Sequence, residues 1–322
     1  MLRFARPRIV VSRCLGFAHC RYDGSVISAS EVGAMAGEVE FVTVCPEMEI
    51  GLPSPRQPLR LVGTGEPRLL QPATGKDFTD PMQAFAHKLF SSLPPVDGFV
   101  LKNRSPSCGI ADAKVYSSTE KGTAMTRRAG MFGQAVRDRY PKLPVEDEGR
   151  LTNRSLREAF LTSVFALASL REVEATGKMR NLVMFHARYK LLLMALGQAR
   201  LAELGRIVAN PDRLPTGDVL HRYREAFEEA LGRPLRRPSA ANALLHAFGY
   251  VTDGLSPGER TYFLETLAEH RAGHVPLSAP VGVLRAWIVR FDVAYLADQR
   301  LFFPFPSSLL SLADSGQGRE PA

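Results

Sequence analysis

Up to residue 150 short β-branched runs alternate with helical segments, and beyond it only helical spacing remains. That change of period limits the chain to an α/β region followed by an all-helical one. The runs are Arg8–Ser12, Glu40–Val44, 96–101 and, more weakly, 114–117. Helical segments at 28–36, 81–90 and 123–140 separate them, so we expect an α/β N-terminal domain with a mainly parallel sheet. Residues 51–80 contain Pro53, Pro55, Pro58, Pro67 and Pro72 and read as one long loop. From 151 onward, helices are expected at 154–170, 179–209, 221–231, 240–251, 257–272 and 278–291, with no strand. The expected organisation is therefore an α/β domain over 1–160, a linker helix region over 161–181, an all-α C-terminal domain over 182–308 and a flexible tail over 309–322.

The 322 residues suit about two domains. Apolar residues at 45% and charged residues at 23% exclude a disordered, collagenous or coiled-coil chain. No apolar run reaches membrane-spanning length, so no membrane partner is expected. Three arginines stand in residues 1–8, but no long apolar segment follows them. The expected location is the cytoplasm. The net charge is +8 and is uneven: residues 178–237 hold 12 basic against 6 acidic residues, whereas 238–322 hold 6 against 8. A local basic stretch suits a polyanion, with nucleic acid the first candidate. The plainer alternative is an Arg-rich solvated face.

Four cysteines are too few for a disulfide scaffold. Cys14, Cys45 and Cys108 each follow a predicted strand, so each lies at a carboxyl end. In a parallel sheet those ends share one edge, where ligand crevices form. No C-x-x-C is present, which removes the zinc-ribbon, thioredoxin and bacterial ferredoxin patterns. Three thiolates on one edge suit iron–sulfur or zinc, with a position left open for catalysis. The alternative is that each cysteine is a small buried hydrophobe. Glu47, two residues past Cys45, is a candidate general base. Ser105 and Ser107 flank Pro106 just before Cys108.

These segments resemble the TudS-type thiouracil desulfidase family. The matching pieces are Cys14-Leu15-Gly16, Cys20-Arg21-Tyr22-Asp23-Gly24, Cys45-Pro46-Glu47, Ser105-Pro106-Ser107-Cys108-Gly109 and Gly130-Met131-Phe132-Gly133. The second half resembles the YbgA-type helical domain, through Phe185-His186-Ala187-Arg188-Tyr189-Lys190, Asn242-Ala243-Leu244-Leu245-His246 and Tyr295-Leu296-Ala297-Asp298-Gln299. Together they are similar to RudS-type desulfidases of 4-thiouridine in tRNA.

The resemblance implies a 4Fe–4S cluster held by Cys14, Cys45 and Cys108 with one iron free. It implies Glu47 as the catalytic carboxylate and Ser105, ahead of Ser107, as the catalytic serine. Many relatives have valine where this chain has Cys20, which we read as a non-ligand. The implied reaction is non-redox: a soft thiocarbonyl sulfur meets a Lewis-acidic iron, and Glu47 activates the attacking water. The implied substrate is thiouracil or thiouridine-containing tRNA, with Arg188, Lys190, Arg236 and Arg237 as candidate RNA contacts. Phe185, Tyr189 and Tyr223 are expected in a helical core rather than stacked on bases. Competing readings are a zinc-dependent hydrolase using the same cysteines, and a nucleic-acid-binding protein without catalysis.

Overall fold

Strands form where the β-branched runs stand, and their pairing follows from how much of each is apolar. In the computed structural model, which describes residues 3–310 except 121 and 123, the first half runs β1 (Arg8–Ser12), α1 (Ser30–Met35), β2 (Glu40–Val44), α2 (Pro46–Glu49), β3 (Arg60–Val62), β4 (Arg68–Gln71), β5 (Lys76–Asp77), α3 (Thr79–Ser92), β6 (Gly98–Leu101), β7 (Ala113–Tyr116), β8 (Thr126–Arg128), α4 (Met131–Arg139) and β9 (Val145–Asp147). Ile9, Val10, Val11, Phe99, Val100 and Leu101 are fully buried, as central parallel strands covered on both faces require. The resulting four-stranded sheet has the order β2-β1-β6-β9 and is parallel throughout.

A second, five-stranded mixed sheet, β5-β4-β3-β7-β8, was not expected. Residues 51–80 are not one loop: β3 pairs antiparallel with β4, and β4 with β5. The prolines sit outside these strands, and each strand is too short for its period to stand out in the sequence. The run at 114–117 is a strand, but it joins this second sheet as β7, parallel to β3. The helix expected over 123–140 begins only at Met131. Thr126–Arg128 pairs with β7 instead, and Gly130 caps the helix.

The rest is helical: α5 (Arg154–Thr176), α6 (Met179–Leu196), α7 (Gln198–Ala209), α8 (Thr216–Leu231), α9 (Arg237–Phe248), α10 (Pro257–Ala272), α11 (Ser278–Arg290) and α12 (Ala294–Ala297). The single helix expected over 179–209 is two, divided at Gly197, whose N–H still closes on the Leu193 carbonyl. Helix α10 starts on a capping box: Ser256 Oγ accepts the Glu259 N–H while Glu259 takes the Ser256 N–H at 2.8 Å, and Pro257 fills the first turn. The helical core is aromatic. Phe185 stacks on Tyr189 at 4.3 Å and meets Phe227 edge-on at 5.2 Å. Phe185, Tyr189 and Tyr223 are all buried, as expected.

The chain divides into two compact units, Arg6–Val164 with residues 308–310, and Phe165–Ser307 with residues 3–5, the division falling inside α5. Of the expected tail, residues 311–322 lie outside the described residues, whereas Leu309 closes a short turn and is buried. No helix among the described residues is long and apolar enough to cross a membrane.

Candidate active site

Strand order brings the cysteines together. β2, β1 and β6 are neighbours, with Ser12 opposite Val44 and Val11 opposite Val100. Their carboxyl ends therefore lie side by side. Cys45 directly follows β2, Cys14 stands just beyond β1, and Cys108 lies in the turn after β6. Cys45 and Cys108 are buried and Cys14 is half-buried; all are free thiols. Cys20 is buried among them, its thiol within hydrogen-bonding reach of both Cys14 and Cys45, and Cys45 Sγ donates to the Cys20 carbonyl at 3.7 Å. The fourth thiol thus sits inside the constellation. Among the described residues, no three His, Cys, Asp or Glu side chains stand ready around a single ion.

Glu47 is placed by α2, whose first turn begins at Pro46 on the Cys45 cap. Its side chain is only 12% exposed, and both oxygens are held. Arg56 Nε donates to Oε2 at 2.8 Å, with Nη2 2.7 Å from the same oxygen. Ser107 Oγ donates to Oε1 at 2.9 Å in a buried contact. The Arg56 fork is itself fixed, because Nη1 donates to the carbonyls of Cys20 and Pro53. One guanidinium therefore ties the carboxylate to the Cys20 loop. Arg56 was invisible in the sequence: it lies in the proline-rich stretch read as a loop. The one signal that could have found it is the need of a buried carboxylate for a cation.

The two serines have different contacts. Ser107, not Ser105, touches Glu47. Ser105 Oγ accepts the N–H groups of Ser107 at 3.2 Å and Cys108 at 3.0 Å, which shapes the turn that presents both residues. The same turn receives α4. Gly130, Met131 and Gly133 donate their N–H groups to the carbonyls of Gly109, Pro106 and Ser107. A Cβ at Gly133 would stand 2.3 Å from the Gly109 oxygen, and one at Gly130 2.6 Å from that of Ser107. The two glycines let a helix start press directly onto the cysteine turn, so the loop carbonyls satisfy donors that a helix start leaves open. β9 supports the other end: Glu148 accepts the Asn103 N–H at 2.9 Å and pairs with Lys102.

The thiols are hard to ionise as they stand. Burial pushes Cys108 up to about 12, against the pull of the Ser12 and Ser105 hydroxyls. Cys45 is raised first by its hydrogen bond with Cys20 and then by burial. Cys20 is raised chiefly by its hydrogen bond with Cys14. Thiolates in so dry a place need a positive centre beside them. A soft, multiply charged metal group meets that need, so the donor set fits iron–sulfur chemistry.

The candidate RNA residues are spread over two helices. Lys190 is exposed on α6, and Arg236 and Arg237 are exposed at the start of α9. The Arg237 guanidinium lies over Gly273, the left-handed cap of α10, where a cation meets the last carbonyls of a helix. Arg188 is half-buried, with Nε donating to Asp298 Oδ2 at 2.7 Å.

Two family models match the chain: 2-thiouracil desulfurase over residues 9–148 and a protein family of unknown function, DUF1722, over 190–306. The chain is 28% identical over 161 residues to the uncharacterized protein YbgA of Escherichia coli (strain K12), covering 49% of this chain and 95% of that one. It is 33% identical over 126 residues to the uncharacterized protein YbbK of Bacillus subtilis (strain 168), covering 37% of this chain and 82% of that one. Among solved structures it is similar to the [4Fe-4S]-dependent thiouracil desulfidase TudS, at 26% identity and a TM-score of 0.35, covering 45% of this chain and 93% of that one.

Proposed function

Since the chain belongs to the 2-thiouracil desulfurase family, joined to a DUF1722 region, and is a desulfidase of thiouracil, we propose that it removes sulfur from 4-thiouridine in tRNA. We assign Cys14, Cys45 and Cys108 as the ligands of a 4Fe–4S cluster, Glu47 as the base and Ser107 as its hydroxyl partner. When bound, the cluster supplies a Lewis-acidic iron for the soft thiocarbonyl sulfur.

The rest is the work of the chain. Arg56 and Ser107 hold Glu47 at one orientation, and a carboxylate keeps lone pairs beyond those two contacts. A water beside it gives Glu47 a proton while its oxygen bonds to the thiocarbonyl carbon. The C–S bond then breaks, sulfur leaves as hydrosulfide, and a carbonyl remains. No electron is transferred. Ser107 stands in the Cys108 turn with its hydroxyl on Glu47; we assign it to relay the first water proton from Glu47 to the departing sulfur, while Glu47 takes the second as the carbonyl forms. The observation that carries this reading is the 2.9 Å contact between Ser107 and Glu47 beside three strand-end thiols. On the same contact we propose Ser107, rather than the expected Ser105, as the catalytic serine.

The RNA substrate rests on the helical unit, which carries the surplus of 12 basic over 6 acidic residues in 178–237 and holds Lys190, Arg236 and Arg237 in solvent. A thiouridine stacked in tRNA must swing out to reach a recessed base such as Glu47. Four unpaired thiols suit a reducing compartment, which supports a cytoplasmic location. The deciding experiment is anaerobic reconstitution with iron and sulfide, followed by assay on thiolated tRNA and on free thiouracil, with Glu47→Gln in parallel. Turnover of free base with none of tRNA would overturn the RNA reading. Equal turnover by Glu47→Gln would remove Glu47 from its role.

A further inference from the structure

A cavity of about 280 Å³ lies wholly within the helical unit, far along the chain from the cysteines. Arg188 and Arg300 both line it. Arg300 is 7% exposed, and its guanidinium has only neutral partners: the Arg3 carbonyl at 3.1 Å, the Phe303 carbonyl at a long 3.5 Å, and the face of Phe4 at 4.8 Å. Among the described residues no carboxylate pairs with it. A buried cation without an anion is costly and is normally compensated.

The backbone is built to keep it there. Gln299, itself 1% exposed, is bonded to the backbone of α6: its Nε2 donates to the Ala187 carbonyl at 2.8 Å and its Oε1 accepts the Leu191 N–H at 3.1 Å. Those two groups are the i and i+4 positions of one helical turn, so Gln299 clamps that turn of α6. Arg300 N donates to the Arg188 carbonyl at 3.0 Å on the same turn. Both arginines are thus locked to one wall. Tyr189, buried and hydrogen-bonded to Ser169, lies within the electrostatic reach of both, which pull down a hydroxyl that burial raises. Met184 forms part of the apolar wall, and Glu172 is the one carboxylate lining the cavity, 4.0 Å from Arg3.

We propose that this cavity is a phosphate-binding site, with Arg300 as its buried anchor and Arg188 turning from Asp298 to share the anion. Two forked donors converging on one cavity suit phosphate oxygens. Only the carrier of that phosphate, the tRNA backbone, rests on the RNA reading above. The site is also where the Phe185–Lys190 and Asp298–Gln299 segments meet: Gln299 clamps the α6 turn that carries Arg188.

The test uses the full-length holoprotein and three variants: Arg300→Gln, Met184→Glu and its neutral control Met184→Gln. Met184 is 44% exposed, so a carboxylate there leaves the core intact while repelling an anion. Thermal melting checks each fold. Uridine monophosphate binding is read by calorimetry, and tRNA binding by filter retention. Arg300→Gln and Met184→Glu should weaken both by at least about tenfold, and Met184→Gln should not. Loss of the monophosphate alone, with tRNA affinity intact, would overturn the tRNA backbone as carrier. If the wild type binds tRNA and folded Met184→Glu binds both ligands as tightly as the wild type, the phosphate site itself is overturned. A wild type that binds the monophosphate but no tRNA refutes the RNA reading and leaves the site standing.

Discussion

The two units spend their polar groups in opposite ways. In the α/β unit Ser12, Glu47, Ser107 and Asp147 are buried, and each is held by the backbone or by one another. In the helical unit the core is aliphatic and aromatic, with Gln299, Arg300 and His270 as its few buried polar groups, and most charge stands outside or in ion pairs such as Arg224 with Glu174 and Glu228. Buried polar groups fixed in place are what chemistry needs. A rigid packed core carrying charge on its outside is what a large polyanion needs. The difference teaches that damage should be local and total in the first unit, and distributed and salt-sensitive in the second.

The sharpest way to break that contrast is at the thiols. Cys14→Ala, Cys45→Ala and Cys108→Ala should each lose iron and all turnover, read by iron analysis and visible absorbance, whereas Cys20→Ala should keep its iron. Loss of iron from Cys20→Ala would make the fourth thiol a ligand and close the open position. Glu47→Gln comes next: it should retain iron and lose turnover by about 10²–10⁴-fold, the range of a missing general base. Gly133→Ala, which drives a methyl into the Gly109 carbonyl, should give a less stable protein that loads iron poorly.

A smaller effect separates the serines. Ser107→Ala should lower turnover roughly tenfold or more without moving iron content, because a charge-assisted hydrogen bond to Glu47 is lost. Ser105→Ala should act through stability, since its oxygen receives two N–H groups. The reverse ranking would restore Ser105 to the catalytic role. In the helical unit, reversing Arg236 and Arg237 together should weaken tRNA binding only severalfold. Wild-type affinity should fall about a thousandfold between roughly 50 and 200 mM salt if about six phosphates are contacted. Salt-independent binding would contradict the distributed-charge picture.

The smallest effect is in pH. Burial, and then Lys190, hold His186 below its ordinary value, with its Nδ1 3.1 Å from the Tyr223 hydroxyl. Below about pH 6.5 the unfolded chain takes up this proton before the folded one does, so stability should fall as pH drops from there toward the depressed folded value. His186→Gln should flatten that part of the profile, measured by urea unfolding.

Much of this was written in the chain. Ile9–Val11 and Phe99–Leu101 are apolar without alternation, which marks central parallel strands; Cys14 stands three residues beyond the first of them, and Cys45 directly follows the mixed run Glu40–Val44. The helical half was legible because several turns repeat one period. Strands of two to four residues such as β3, β4 and β5 carry too few side chains for any period, and the prolines between them drew the eye instead.

What the sequence determined by itself was therefore local: which segments extend, which coil, and that thiols follow strands. Tertiary structure decided which of these meet. Only the order β2-β1-β6 makes neighbours of Cys14, Cys45 and Cys108. Only packing put the Ser107 hydroxyl, and not that of Ser105, against Glu47, because two serines separated by a single proline differ in which way the turn faces them. Arg56 and Arg300 illustrate the same limit. A guanidinium takes its meaning from what surrounds it at a few ångströms: Arg56 stands nine residues from Glu47 and Arg300 in a different segment from α6, and no period links either pair.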